Sequence, residues 1–132
     1  MKNQSKHNKA WMKKQIQKGL CVFCRDESLY KSSLCEKHYF KGRVRSVTGS
    51  YDNWEIIRDK FFESGEVCYY TGKKLVLGVN AGLDHLKPRS RFKHLKDSID
   101  NLVWCDTKVN VAKRDLTNDE FIDVCKLVAS RF

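Results

Sequence analysis

A carboxylate, an imidazole and two amides in the middle of the chain have the types and the order to hold a metal ion beside a general base. Asp84 and His85 are adjacent, and Asn101 and Asn110 follow them after a loop rich in Lys and Arg, residues 87–96. An amide that returns to such a carboxylate across a hairpin and a helix can complete a site for one divalent metal. A neutral imidazole is a suitable proton acceptor near pH 7. The stretch therefore predicts one metal and one general base at a single site.

Two pairs of metal-ligand residues near the N-terminus predict a second, closed metal site. The pairs are Cys21-x-x-Cys24 and Cys35-x-x-His38, separated by ten residues. Two close pairs with a short connector suit tetrahedral Zn²⁺, and three thiolates with one imidazole leave no open position for catalysis. We therefore expect one structural zinc, which would order a segment too small to fold on its own core. The alternative is that these are four unrelated residues in a loop.

Positive charge is concentrated ahead of residue 46. The formal net charge of the 132-residue chain is +10, and residues 1–45 carry +9 of it. A basic segment attached to a near-neutral body is typical of a polyanion-binding arm, so nucleic acid is the expected partner; a solubilising tail is the alternative. Arg43 and Arg45 follow the last zinc ligand and are candidates to contact phosphates.

The composition predicts one domain that works inside the cell. With 41% hydrophobic and 32% charged residues, the chain can bury a modest core beneath a heavily solvated surface. No run approaches the roughly 18 apolar residues of a membrane helix, and the N-terminus lacks the apolar segment of a secretory signal. We therefore expect a cytoplasmic protein with no membrane partner, whose six cysteines are reduced and available for metal ligation.

The segments that precede the central stretch predict two helices. Residues 9–18 form a short basic amphipathic helix, and residues 46–50 form a linker. Asp52 and Glu55 have the spacing of a capping box for a second helix, which ends at Ser64.

Strands and a last helix are predicted around the basic loop. The β-prone runs are residues 83–86 and 102–105, and residues 75–79, which form a strand or the approach to one. Thr117 with Glu120 makes another capping box. We expect the helix that this box starts to close the core. Its buried face would hold Phe121, Val124, Cys125 and Val128.

Four short runs of sequence together resemble the HNH endonucleases, the ββα-metal nuclease family. They are CYYTGKKL from Cys68, LDHLKPRSR from Leu83, DNLVWC from Asp100 and VNVAKR from Val109. Their order and approximate spacing match the family over roughly residues 50–125. Four such runs in this order do not commonly occur together by chance. The resemblance implies an α+β fold, in which helices flank a small ββα-metal core behind the N-terminal zinc-binding segment.

The resemblance also implies a role for each central residue. His85 matches the general base that activates water, and Asp84 matches the metal-ligating carboxylate. Asn101 matches the residue that fixes the loop and orients His85, and Asn110 matches the ligand that completes the metal site from the helix. Because neighbours on a strand point to opposite faces, the strand must twist or bend at Asp84 and His85.

The implied reaction is hydrolysis of a phosphodiester, which fits a hard cation held by few protein oxygens. One Asp and one Asn oxygen leave most positions to water and phosphate, which favours Mg²⁺ or Mn²⁺ over a closed zinc site. Several basic residues could contact the DNA backbone on either side of the cut, although each is as readily a solvated surface charge. They are Lys87, Arg89, Arg91, Lys113 and Arg114.

The sequence departs from the family at a second zinc site that many members carry. One cysteine remains of each of its two pairs, Cys68 and Cys105. We expect no zinc there and expect both residues to be buried near each other as small apolar side chains. His94 lies alone in the basic loop and is expected at the surface or on a phosphate.

The hypothesis is a metal-dependent endonuclease for double-stranded DNA, of a phage or mobile-element homing type or a small restriction type. Its predicted parts are a basic arm (1–18), a zinc-binding module (19–45) and the HNH nuclease domain (50–132), which works without a small-molecule cofactor. A non-catalytic, zinc-containing DNA-binding protein on the same scaffold is the alternative. The sequence leaves open a monomer or a homodimer, nicking or double-strand cutting, the target sequence, and a packaging role.

Overall fold

The computed structural model describes residues 2–24, 27–31 and 33–132, with side chains from Lys9 onward. Within these ranges five α-helices and one two-stranded sheet make up an α+β fold, as the sequence predicts. The helices are α1 (Lys2–Gln17), α2 (Glu36–Thr48), α3 (Trp54–Glu63), α4 (Thr107–Lys113) and α5 (Asn118–Arg131). The strands are β1 (Ala81–His85) and β2 (Leu102–Asp106). None of the helices in the described ranges is long and apolar enough to cross a membrane.

The centre of the fold is a hairpin of β1 and β2 followed at once by α4. The strands are antiparallel, and their register pairs Asp84 with Val103 and His85 with Leu102. Asp106 ends β2 and caps α4, because its Oδ1 accepts a hydrogen bond from the backbone N–H of Lys108 at 2.8 Å. The basic loop between the strands contains two short 3₁₀ turns, Lys93–Leu95 and Ile99–Asn101.

One hydrophobic core joins this hairpin to α2 and α3. Phe40 of α2, Phe61 of α3 and Trp104 of β2 are all buried, and their rings meet edge to face. The Trp104 indole N–H donates to the carbonyl of Ile57 at 2.8 Å, so the one polar atom of the ring is satisfied inside the core. The helix that carries the last zinc-ligand candidate, His38, therefore packs on the same core as the hairpin.

The helices ahead of the hairpin differ in their bounds from the prediction. α1 begins at Lys2, well before residue 9, because the stretch contains no proline or glycine to stop a helix. α2 continues through the predicted 46–50 linker to Thr48 and ends at Gly49, whose φ of 84° suits a left-handed cap. Asp52 does not cap α3; the N-cap is Asn53, with φ 64° and no side-chain capping hydrogen bond.

Around the hairpin, one open alternative is decided and one prediction is wrong. Residues 75–79 are the approach to β1 and not a strand, because the Asn80 Oδ1 accepts from the N–H of Val76 at 2.6 Å and turns the chain. The capping box at Thr117 is present, with its Oγ1 accepting from the N–H of Glu120 at 3.2 Å. However, none of the residues of α5, all of which the structure describes, is buried, so this helix does not close the core.

Candidate active site and metal centre

A cavity of about 290 Å³ opens where β1 and α4 end. Its wall includes Asp84, His85 and Asn110, together with Arg89 and Arg114. His85 is the last residue of β1, and both it and Asp84 line the cavity, as the predicted departure from a flat strand requires. The hairpin and helix thus bring three of the four central residues to one concave surface. An anionic group entering it would meet two guanidinium groups.

The carboxylate of Asp84 is held from two sides. Its side chain is 5% exposed, and its Oδ2 accepts a hydrogen bond from the Tyr70 hydroxyl at 2.8 Å. The Nζ of Lys113 lies 3.3 Å from Oδ2 and 3.4 Å from Oδ1. Burial raises the pKa of Tyr70, and the hydrogen bond to Asp84 raises it further, so the phenol remains a donor.

Lys113 is internal, whereas the sequence predicts it at the DNA surface. The residue is 0% exposed, and its Nζ also donates to the carbonyl oxygen of His85 at 2.8 Å. The physical reason is its position in the last turn of α4, which packs against β1 and turns the ammonium towards Asp84. The ammonium is bound inside the fold and cannot reach an external phosphate.

The imidazole of His85 has a defined orientation. Its Nε2 lies 2.9 Å from the carbonyl oxygen of Lys96. A carbonyl only accepts, so Nε2 carries the proton and Nδ1 keeps its lone pair. Burial lowers the pKa of His85, and the nearby charges of Arg89 and Lys113 act in the same direction, against the hydrogen bond to Lys96 and the charge of Asp84. The ring is therefore neutral near pH 7 and can take up a proton.

Asn101 pins the two ends of the basic loop together. Its Oδ1 accepts from the N–H of Lys87 at 2.9 Å, and its Nδ2 donates to the carbonyls of Lys87 at 3.0 Å and Leu95 at 3.2 Å. Its own carbonyl accepts from the N–H of Leu86 at 2.8 Å. These bonds fix the chain on both sides of Lys96, the residue that orients His85. Asn101 thus acts through the loop backbone and does not line the cavity itself.

The donor set at the cavity fits a hard divalent cation. Asn110 is half-buried, and its Nδ2 donates to the carbonyl of Leu83 at 3.3 Å, which leaves Oδ1 for another partner. A carboxylate oxygen of Asp84 and this amide oxygen are hard ligands, and the cavity has room for water and a phosphate beside them. Among the described residues the wall carries no thiol, so its donors suit a hard cation better than a soft one.

The remaining predicted DNA contacts are exposed but occupy different surroundings. Arg89 donates to the carbonyl of Val47 at 3.4 Å at the rim of the cavity. The Nη1 of Arg91 lies 2.9 Å from the Oε1 of Glu120, so the positive charge of Arg91 is partly neutralised. Arg114 lines the cavity from the end of α4, with φ 55° and ψ −124°, a conformation that disfavours any residue but glycine. Lys87 stacks over the ring of Phe92.

Arg43 and Arg45 lie on α2, the helix whose last turns contribute Ser46 and Val47 to the wall of the cavity. Arg43 is exposed and lies over the ring of Tyr39, with 5.9 Å from its Cζ to the ring centroid. Arg45 is exposed, donates to the hydroxyl of Tyr51 and covers its ring. Both guanidinium groups are held by aromatic faces and still face solvent, as a phosphate contact requires.

Sequence reasoning missed the part that Tyr70 and Lys113 play at Asp84. Lys113 lies three residues after Asn110 on α4. This spacing indicates that the two side chains share one face of the helix, so the sequence does contain a signal for Lys113. No such signal separates Tyr70 from Tyr69, since either could point inward from an irregular segment. The structure makes Tyr69 52% exposed, whereas Tyr70 is half-buried against Phe121.

The four zinc-ligand candidates converge on one point. All their ligand atoms lie within 4.8 Å of one another, and this is the one such group of His, Cys, Asp or Glu side chains in the described part of the chain. Zn–S bonds of about 2.3 Å and Zn–N bonds of about 2.0–2.1 Å set tetrahedral separations of about 3.8 Å between sulfurs and about 3.6 Å from sulfur to nitrogen. The Sγ atoms of Cys24 and Cys35 are 3.8 Å apart, and the Cys21 Sγ lies 3.6 Å from the His38 Nδ1. The cluster therefore fits zinc.

The thiols of this cluster differ in how readily they ionise. Burial opposes the thiolate of Cys21, but the backbone N–H groups of Cys24, Cys35 and Phe23 outweigh it and lower its pKa to about 6. Burial raises the pKa of Cys35. Of these two thiols, Cys21 is thus the more readily ionised near neutral pH, and a bound cation would draw the proton from Cys35.

The two remaining cysteines of the lost site are buried, as predicted. Cys68 is 1% and Cys105 0% exposed, and both belong to the hydrophobic core. The Cys68 Sγ accepts a hydrogen bond from the N–H of Asp106 at 3.3 Å. In the described part of the chain neither belongs to a group of metal ligands. That no zinc binds them stays a prediction.

Comparison with known proteins bears on this same part of the chain. Residues 68–118 match the family model described as HNH endonuclease. The match includes Asp84, His85, Asn101 and Asn110. Neither the curated proteins nor the solved structures give a significant match. The resemblance predicted from the sequence is therefore confirmed for residues 68–118, the segment in which this chain matches the HNH endonuclease family.

Proposed function

We propose that this chain is a metal-dependent endonuclease that hydrolyses phosphodiester bonds of double-stranded DNA. The observation that carries the proposal is the cavity in which a buried carboxylate, a neutral imidazole and a free amide oxygen meet, within the family-matching segment. Phosphodiester hydrolysis needs an activated water, neutralisation of developing charge and a stabilised leaving oxygen. The three side chains, with a divalent cation, supply these requirements.

His85 is the general base. Its Nε2 is committed to the carbonyl of Lys96, so Nδ1 receives the proton of the attacking water. A low pKa keeps Nδ1 unprotonated near pH 7. Asn101 preserves this geometry by fixing the loop that carries Lys96.

Asp84 and Asn110 would hold Mg²⁺ or Mn²⁺. When bound, such an ion neutralises charge on the phosphate and polarises the bond to the leaving oxygen. Tyr70 and Lys113 act as positioning residues, because they fix the carboxylate of Asp84 from two sides. Arg89 and Arg114 face the mouth of the cavity and are the contacts proposed for the phosphates on either side of the cut.

The N-terminal segments would deliver the enzyme to its substrate. One structural Zn²⁺ held by Cys21, Cys24, Cys35 and His38 would order residues 19–45, and Arg43 and Arg45 on the adjoining helix would grip the DNA backbone. The basic arm, residues 1–18, adds attraction that does not depend on sequence. A small nuclease with such a delivery segment suits a homing-type or restriction-type enzyme of a phage or mobile element.

Cleavage of supercoiled plasmid tests the proposal. The protein should relax or linearise plasmid with Mg²⁺ or Mn²⁺, and EDTA should abolish the reaction. His85→Ala should lose the activity, whereas His94→Ala, which changes an exposed histidine in the same loop, should retain it. Intact plasmid with wild-type protein under every metal, together with retained DNA binding, would indicate the non-catalytic alternative.

A further inference from the structure

We propose that α5 is the interface through which two copies of this chain pair in an antiparallel arrangement. Every residue from 123 to 131 on this helix is exposed. Large apolar side chains are among them: Val124 is 47%, Val128 56% and Leu127 72% exposed. Helices in proteins draw most of their stability from packing an apolar face, yet no residue of α5, all of which the structure describes, is buried.

The helix is attached to the body at its start. The N–H of Asn118 donates to the carbonyl of Leu86 at 2.8 Å, and the ring of Phe121 meets that of Tyr70 at 5.6 Å. Glu120 forms an ion pair with Arg91 at 2.9 Å. The first turn is therefore fixed, and the later turns are presented to a partner in a defined direction.

The exposed apolar residues form one stripe. Val124, Leu127 and Val128 recur at intervals of three and four, which is the spacing of a helix–helix seam. An apolar groove of about 500 Å³ lies between the other side of α5 and the body, and it is lined in part by Ile122 and Ala129.

The charges of α5 identify a second copy as the occupant. Beside the stripe, its first turn carries the acidic Glu120 and its last turn the basic Arg131. Two antiparallel copies place acidic turns against basic turns at both ends, whereas parallel copies place like charges together. Glu120 lies at one end of the stripe and Arg131 at the other, along the same edge. In an antiparallel pair, Glu120 of each copy would therefore face Arg131 of the other copy. Such a two-fold contact closes on itself and stops at a dimer.

The consequence for the reaction rests on the proposed function. One cavity with one His85 cuts one strand, so a dimer brings two cavities to one duplex. Association itself is independent of nuclease activity. A measurement of the association of two chains is therefore valid whether or not the chain cuts DNA.

Sedimentation equilibrium of the full chain over a concentration series tests the pairing. The wild type should reach twice the monomer mass of 15.5 kDa, and Leu127→Asp with Val128→Asp should stay at that mass. Val79→Asp is the matched control, because Val79 is 74% exposed in the turn before β1 and should not alter association. Circular dichroism and thermal melting establish that each variant is folded. A monomeric wild type throughout the series, or a dimer that survives both α5 substitutions, overturns the proposal.

Charge reversal tests the antiparallel arrangement. Glu120→Lys and Arg131→Glu should each associate at least tenfold more weakly than wild type, because each places like charges together at both ends. An equimolar mixture of the two variants should recover wild-type association, since both cross-chain pairs then become opposite in sign. The Glu120→Lys chain lacks the internal Glu120–Arg91 ion pair both alone and in the mixture. The loss of that pair therefore cannot account for recovered association in the mixture. A mixture no stronger than its components overturns the arrangement.

Discussion

The ammonium of Lys113 and the carboxylate of Asp84 form a buried ion pair at the wall of the cavity, with 3.3 Å between Nζ and Oδ2. Their side chains are 0% and 6% exposed. Two ions withdrawn from water are stable only as partners, so removing one leaves the other with an uncompensated charge. The pair therefore links the stability of α4 to the placement of the proposed metal ligand.

Replacement of Lys113 by methionine should reveal this link. Lys113→Met keeps the length of the side chain but removes its charge, and should lower the free energy of unfolding by about 3–5 kcal/mol. Urea denaturation at pH 7 measures the change. Lys108→Met, an exposed substitution on the same helix, should change stability little. If Lys113→Met and Lys108→Met lowered the free energy of unfolding equally, Lys113 and Asp84 would not depend on each other.

Removal of the Tyr70 hydroxyl should affect metal use more than folding. Tyr70→Phe deletes the 2.8 Å hydrogen bond to Asp84 while preserving the ring that packs on Phe121. We expect the Mg²⁺ concentration for half-maximal cleavage to rise roughly tenfold, the usual scale for loss of a group that orients a metal ligand. Tyr69→Phe, at a side chain that is 52% exposed, is the control. Identical metal dependence in both variants would remove the positioning role.

Arg114 should show opposite effects on stability and on cleavage. A left-handed φ costs a non-glycine residue about 1–3 kcal/mol, and glycine adopts it freely. Arg114→Gly should therefore raise the free energy of unfolding by about 1 kcal/mol, after the greater chain entropy of glycine is counted. It should also slow cleavage, because the guanidinium at the cavity is lost. Arg114→Lys should keep both the strain and most of the activity; faster cleavage by Arg114→Gly would contradict this account.

The pH profile of cleavage should report the state of His85. The base form is required, and the fraction of base rises with pH through the pKa of the folded protein. Because burial lowers that pKa below the ordinary value of 6.5, the midpoint of the acid limb of the rate should lie below pH 6.5. The rate is measured in single turnovers at saturating Mg²⁺. An acid limb centred well above pH 7 would be incompatible with a neutral, buried imidazole.

The N-terminal cluster should hold one zinc per chain. Metal analysis of the purified protein gives the content, and Cys21→Ser should release the metal and lower the melting temperature, because binding orders the segment. Cys125→Ser, at an exposed cysteine on α5 outside the cluster, is the matched control and should retain the zinc. Two zincs per chain would contradict the prediction that Cys68 and Cys105 bind none.

The sequence was informative where spacing alone determines proximity. The two close pairs of the zinc cluster depend on such short-range geometry. The grouping of Asp84 with Asn110 and the burial of Cys68 and Cys105 are implied instead by the resemblance to the HNH family.

The sequence fails at Lys113 and α5 because of tertiary contacts, and at Asp52 because of a local turn. Lysine is almost always exposed, and only the packing of Lys113 against Asp84 reverses that expectation. Val124 and Val128 have helical periodicity but no surface of the described chain to cover them. Asp52 has the spacing of a capping box, yet the chain turns one residue later at Asn53.

Chemical rescue tests the central claim, that His85 is the base beside a metal held by Asp84. His85→Ala and Asp84→Ala should both lose Mg²⁺-dependent cleavage of supercoiled plasmid. Added imidazole should restore part of the activity of His85→Ala, since it can enter the vacated side of the cavity and accept the proton, and should restore none to Asp84→Ala. Cleavage by His85→Ala at the wild-type rate without imidazole would contradict the claim.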